Sequence, residues 1–337
     1  MVYEFLLDDR KTNSRLVAIC LASILLNVAA FAEQQTPLDK VRTLRLQGKL
    51  PEAKSLAERQ VERNFDHRHV AISFHLELAR IHDRIGLHNN TRPVVAALAH
   101  IDTAASLVVP TDIAALAEIE LARADYYYRA EMSEREFPRA SQYAHGAITQ
   151  FQNIGDQHGE ADATHRLGLI LMQRGDLQDA KALFEQSMAL DQAAGARVFF
   201  SGEYERHVGF VHLLNGDLGA AIPYFERSLA ARIEAGAIDA SMFAAASLAS
   251  ALIGVERFEE AKPHLLYAMT IAEQIGSPVG KARAAAALGQ VYEQEGDRNA
   301  AREAFEIALR NAEDVAYAGI VEQMKAALQR LELLTVQ

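Results

Sequence analysis

Tryptophan is absent from this chain, and cysteine occurs once, at Cys20. That cysteine lies in an N-terminal segment unlike the rest. The remainder therefore has no disulfide, no thiol chemistry and no sulfur-ligated metal to draw on. Positive charge is also short: 34 Lys and Arg face 45 Asp and Glu, a net charge of −11. A balance of that sign argues against general nucleic-acid binding, which needs clustered cations to neutralise phosphates. It mainly promises solubility. No strand-like alternation of useful length is present. Nor is there a phosphate loop, a dinucleotide-binding glycine turn, a nucleophile elbow or a His-Glu-x-x-His pair. No two carboxylates are placed together for acid–base work. These absences predict a non-enzyme that needs no cofactor and no metal. What the chain does have is apolar mass. Half its residues are hydrophobic (50%), and alanine dominates them, which suits close packing of helices.

The first 32 residues stand apart. Arg10, Lys11 and Arg15 precede an uncharged run from Leu16 to Ala32 that closes on Ala30-Phe31-Ala32, a small-x-small cleavage site. That is the layout of a secretory signal. A run of 17 residues that includes Asn27 is short for a permanent membrane span. The expectation is an exported protein, periplasmic in a Gram-negative cell, whose mature part begins at Glu33. Membrane contact is then confined to the N-terminal segment before cleavage, and an uncleaved anchor through residues 16–32 is the alternative. Glu4, Asp8 and Asp9 offset the three basic residues of this segment, so the mature part keeps the whole net charge.

Downstream, one skeleton recurs. Gly168, Gly209, Ala249 and Gly289 follow one another at spacings of 41, 40 and 40. Twelve residues after each comes Ala180, Ala221, Ala261 or Ala301; four further on, Phe184, Phe225, Leu265 or Phe305; three beyond those, Ser187, Ser228, Ala268 or Ala308. A turn falls at Gly175-Asp176, Gly216-Asp217, Glu256-Arg257 and Gly296-Asp297. Glycine can end one helix with a positive φ, and aspartate can cap the next. Each unit is thus two short amphipathic helices that cannot bury their apolar stripes alone, and stacked neighbours bury a continuous core.

This skeleton resembles the tetratricopeptide repeat family, in a form of 40 or 41 residues rather than the usual 34. The surplus is expected between units, at 192–196, 234–240 and 274–279. The resemblance implies an all-α fold: a right-handed superhelical solenoid of antiparallel helix pairs. About seven units would occupy residues 33–316, and an amphipathic helix in 317–337, with Val321, Met324, Leu328, Leu331 and Leu334 on one face, would cap the last open stripe. Three further units are expected ahead of the clear ones. Their signals are Pro51 at the start of a second helix, a first helix from near Arg68 that stops at Gly86, and a long helix from Asp112 to about Glu134 with Thr111 as its N-cap. Tyr126, Tyr127 and Tyr128 are consecutive and cannot share one helix face.

The resemblance also implies that first helices line a concave groove, with ligand-facing side chains at the second, fifth, ninth, twelfth and thirteenth positions of each unit. With Gly168 as the eighth, the ninth position reads Arg42, Arg80, Arg129, Leu169 and Phe210. The fifth gives His165 and Arg206, the twelfth Met172 and Leu213, the second Phe243, and Arg84 joins the arginine row. Such a groove predicts a non-catalytic scaffold for a peptide segment or partner protein. The arginines would favour an acidic stretch or a C-terminus, unless they pair with Asp and Glu on adjacent helices. The alternative is an exported sensory or input module of a bacterial signalling system, acting with a separate membrane output protein. The Lys and Asn pattern of the family's carboxylate clamps is missing. Among the histidines, His75 and His82 share one helical face, and His212 occupies a core position where a hydrogen-bonded ring is expected.

Overall fold

The computed structural model describes residues 36–64, 66–91 and 94–333. The signal-like segment 1–32 and Leu334 lie outside the described residues. Helices fill the described chain, and they follow in pairs. The pairs are α1 (Pro37–Leu46) with α2 (Leu50–Arg63), α3 (Arg68–His88) with α4 (Val95–Leu107), and α5 (Ile113–Ala130) with α6 (Pro138–Ile154). Next come α7 (Gln157–Arg174) with α8 (Leu177–Ala193), α9 (Val198–Leu214) with α10 (Leu218–Glu234), α11 (Ile238–Gly254) with α12 (Phe258–Gln274), and α13 (Pro278–Gln294) with α14 (Arg298–Asp314). A last helix, α15 (Ala318–Leu333), closes the stack by burying Ile320, Met324, Ala327 and Leu331. Among the described residues the architecture is the expected one: an all-α solenoid of seven helix pairs plus a cap.

The repeat skeleton has a steric reason. A Cβ added to Gly168 would meet the Phe184 ring at 2.7 Å, one on Gly209 the Phe225 ring at 2.8 Å, and one on Gly289 the Phe305 ring at 2.4 Å. Phe184, Phe225 and Phe305 are each fully buried. Burying a phenylalanine stabilises by about 1.5–3 kcal/mol, and the missing Cβ is what lets the ring lie flat against the facing helix. Where the small residue is Ala249, the facing residue is the slimmer Leu265. The turn works in the same local way. Gly175, Gly216 and Gly296 take φ of 92°, 84° and 81°. The unit without the glycine puts Glu256 in that region instead, at φ 62°.

Four local expectations are corrected. Helix α3 runs through Gly86 to His88 rather than stopping at the glycine. A mid-helix glycine costs about 1 kcal/mol, and His88 holds the last turn by reaching Asp239. Helix α5 ends at Ala130, short of Glu134. The buried Glu131 leaves the helix to accept hydrogen bonds from the N–H groups of Arg139 (3.3 Å) and Ala140 (3.1 Å). It thereby caps α6, whose preceding residue Phe137 is left-handed. The N-cap of α5 is Asp112, which accepts from the Ala115 N–H at 3.1 Å, and not Thr111. Finally, the surplus residues per unit do not form long linkers. They lengthen the helices: α8 to α14 each span 17 residues, and only 235–237 separates α10 from α11.

The superhelix winds far enough to meet itself. Helix α1 touches α11, and α3 touches α13. The His88 Nε2 lies 3.1 Å from Asp239 Oδ1, and Arg84 Nε lies 3.0 Å from Asp239 Oδ2, although out of line for a hydrogen bond. Gly48, in the α1–α2 turn, sits so close to Ile275 that a Cβ there would fall 2.6 Å from Ile275 Cγ2. The Asn90 side chain donates toward the Val315 and Ala316 carbonyls at 3.4 and 3.5 Å. An open solenoid contacts only its neighbours. Here the first two units also rest on the last two, which turns the concave face into a central channel.

Candidate functional site

First helices line that channel, and their arginines converge there. In the N-terminal units each finds a carboxylate. Arg42 and Arg45 reach Glu77 at 3.3 and 2.9 Å, and Arg80 reaches Glu77 at 2.7 Å and Glu118 at 3.0 Å. Arg84 pairs with Asp239, Arg129 with Asp83 at 2.8 Å, and Arg166 with Asp125. Burial would raise the Glu77 carboxyl, yet the guanidinium groups of Arg45, Arg80 and Arg42 pull it down to about 2. The predicted row of Arg42, Arg80, Arg84 and Arg129 is thus brought together, but as one half of an ion-pair lattice.

In the middle units apolar side chains join the cationic and polar ones in the lining. A cavity of about 560 Å³ is bordered by Tyr128, Met172, Gln173, Arg206, His207 and Phe210. A second, of about 120 Å³, continues past Arg206 and Phe210 to Phe243, Ser250, Gly280 and Arg283. Tyr128 is the member of the tyrosine triplet that faces this space. Tyr127 stacks on Tyr143, and Tyr126 packs against the α3–α4 core. Leu213 is half-buried at the seam with α11, and Leu169 is packed among Val208 and Val211.

His165 lies behind the channel wall. It is buried beside Phe184 and Phe200, with its Nε2 3.0 Å from the Nδ1 of His207. Burial pushes its pKa down to about 3. Burial, and then the His165 ring, push His207 well below the ordinary histidine value. His212 stacks on Tyr224 at 5.1 Å, and its Nε2 is buried without a hydrogen-bond partner among the described residues, so the expected hydrogen-bonded ring is not found at that nitrogen. His75 and His82 both meet His100: Nδ1 to Nδ1 at 3.1 Å for His75, ring stacking for His82.

Arg206 differs from the other channel arginines. Its Nε is buried without a hydrogen-bond partner, its guanidinium lies 4.7 Å from the Phe210 centroid, and its Nη1 faces His207 Nε2 at 3.3 Å. Desolvation, and then the charge of Arg232, lower its pKa to about 9. Arg283 and the partners Glu203 and Asp239 escaped the sequence reading. Arg283 stands at the second position of its unit, counting Gly289 as the eighth, so the register rule reaches it. The same rule reaches Glu203, six residues before Gly209, although not its pairing with Arg232; Asp239 falls outside the register and carries no local signal.

Residues 241–314 match one family model described as tetratricopeptide repeat, and residues 161–190 match another. The fold is a tetratricopeptide-repeat-like solenoid. Among solved structures, it is similar to a Rap protein complexed with competence and sporulation factor, at 12% identity, covering 95% of this chain and 93% of that one, with a TM-score of 0.58. It is similar also to the Rap conjugation gene regulator of plasmid pLS20 in complex with the Phr* peptide, at 15% identity, 81% and 78% coverage and a TM-score of 0.54. The apo form of RapI matches at 12% identity over 82% of this chain and 76% of that one, with a TM-score of 0.51. The comparison with curated protein sequences finds no match. At these identities the likeness of the repeat solenoids concerns the fold.

Proposed function

We propose that this chain is a non-catalytic binding scaffold that holds a peptide segment of a partner in its central channel. The observation that carries the reading is the group of large apolar side chains set among cations at the middle of the channel. Tyr128, Met172, Phe210 and Phe243 border two cavities of about 560 and 120 Å³ that share Arg206 and Phe210 in their walls. Apolar anchors set in a polar rim suit an extended or helical segment. The similar folds solved with competence and sporulation factor and with the Phr* peptide accord with it. Selection of random dodecapeptides against the full chain tests it, with counter-selection against Phe210→Asp and Phe243→Asp. Enriched sequences should lose binding to those variants while the helical circular dichroism stays unchanged. Enrichment that ignores both variants would place binding elsewhere and sink the proposal.

We also propose that the protein is exported by the Leu16–Ala32 segment and works outside the cytoplasm. Mass spectrometry of the exported form should find Glu33 as its first residue. Retention of Met1 would replace cleavage by anchoring.

A further inference from the structure

Most of the channel's arginines are matched by carboxylates; Arg135, at the rim of the larger cavity, is exposed without a side-chain partner among the described residues, and two further exceptions meet at the smaller one. Glu203, the carboxylate of its own helix whose charge acts on Arg206, is committed to Arg232 at 2.8 Å, and Glu205 to Arg227 at 2.9 Å. Asp239 is committed to Arg84 and His88. Asp125 is held by Arg166, and Asp162 by Arg197 at 2.8 Å. Arg206, on α9, is left with a histidine nitrogen and an aromatic face. Arg283, on α13, is exposed into the same pocket and makes no hydrogen bond or ion pair among the described residues. The two cations line one pocket of about 120 Å³ together with Ala246, Ser247, Ser250 and Gly280. One water needs only about 10–15 Å³ of such space.

Two like charges sharing a small, partly desolvated pocket repel, and the chain has surplus carboxylates with which to relieve them. It relieves the arginines of the first units in this way and leaves these two, which share the smaller pocket. Residues that break the local rule without an internal gain mark functional positions. A guanidinium offers a planar fork of donors that matches an oxyanion. The small residues that line the pocket with the two arginines leave room for the anion, and Phe210 and Phe243 line it with apolar surface.

We propose that Arg206 and Arg283 form an oxyanion-binding subsite that takes a carboxylate or phosphate group of a channel-bound peptide, with an adjacent apolar side chain resting on Phe210 and Phe243. This rests on the channel-binding reading and assigns its anchor. It moves the source of any acidic preference from the ion-paired arginines of the first three units to the fifth and seventh.

The test reads the two guanidinium groups directly. In the full chain labelled with nitrogen-15, the Nε–Hε signals of Arg206 and Arg283 are assigned by their loss in Arg206→Lys and Arg283→Lys. Three blocked probes are then titrated: N-acetyl-phenylalanine, N-acetyl-phenylalanine amide, and the amide of N-acetyl-phosphotyrosine. The expected result is saturable movement of both signals with the carboxylate, the phosphate or both, at least tenfold tighter than with the neutral amide. The stronger of the two anionic probes identifies the group. Arg283→Gln should weaken that probe about tenfold, equivalent to about 1.4 kcal/mol, without moving the melting temperature. Arg42→Gln, which alters an arginine already paired to Glu77, should leave it unchanged. Equal affinity for amide and acid, no movement of either signal at the solubility limit of the probes, or an equal loss in Arg42→Gln would each overturn the assignment. These outcomes are independent of the dodecapeptide selection, which fails or succeeds on the apolar wall alone.

Discussion

Asp239 is the residue through which the two ends of the superhelix are joined, and its removal has a calculable consequence. It is 1% exposed. It sits in the first turn of α11, accepts the His88 contact at 3.1 Å and pairs with Arg84 at 3.0 Å. Asp239→Ala leaves the Arg84 guanidinium without its counter-charge. Breaking a buried pair from one side costs about 3–5 kcal/mol. Arg84 is 23% exposed at its side chain, which draws the figure toward about 3 kcal/mol. Loss of a carboxylate from a helix first turn adds roughly 0.3–1 kcal/mol. The paired change Arg84→Met with Asp239→Leu removes both charges, and such swaps are often close to neutral. Urea unfolding followed by circular dichroism should therefore show about 3 kcal/mol lost in each single variant and much less than their sum in the double. Small-angle scattering should show a larger radius of gyration for Asp239→Ala, because the first two units come away from the last two. Additivity within about 0.5 kcal/mol, the tolerance for independent sites, together with an unchanged radius, would refute the idea that this contact closes the channel. The pH dependence has a definite sign. Burial would raise the Asp239 carboxyl, yet Arg84 and His88 hold it below its ordinary value of 3.8. Its contribution is complete above that value and is lost as the pH falls below it.

Two further outcomes concern the core. Gly289→Ala should cost about 1–3 kcal/mol by overpacking against Phe305. Adding Phe305→Leu should return part of that, as the natural Ala249 and Leu265 pair does; thermal unfolding of the single and double variants checks both. His165 and His207 should make the protein acid-sensitive well above the carboxylate range. Burial lowers both, His165 to about 3, from an unfolded value of 6.5. Their stability is present above pH 6.5 and falls as the pH drops from there toward the folded values, at up to about 1.4 kcal/mol per pH unit for each ring. Urea midpoints between pH 7 and pH 4 should decline for the wild type and decline less steeply for His165→Gln. An equal slope in both would refute the assignment.

The sequence by itself determined whatever is decided within one helix pair. Gly168 and Phe184 are close along the chain, and their complementarity is a matter of a missing Cβ against a ring, so the repeat, its period and its turns were legible. The all-helical class, the seven pairs and the amphipathic last helix follow from the same short-range pattern. Helix ends were less legible where a side chain from elsewhere decides them: Glu131 ends α5 by capping α6, and Asp239 holds the last turn of α3. The state of the arginines was legible only as a choice: pairing with Asp and Glu on adjacent helices was one of two readings, and it is what Arg42, Arg80 and Arg129 do. Register alone put Arg42, Arg80, Arg129 and Arg206 on one inner face, but it could not say which of them meet a carboxylate. His88 and Asp239 are 151 residues apart in sequence, and their meeting depends on the small rotation per unit accumulated over several repeats. Local composition carries no trace of that sum, and only the wound superhelix shows that Arg84 is satisfied from across the channel while Arg206 and Arg283 are not.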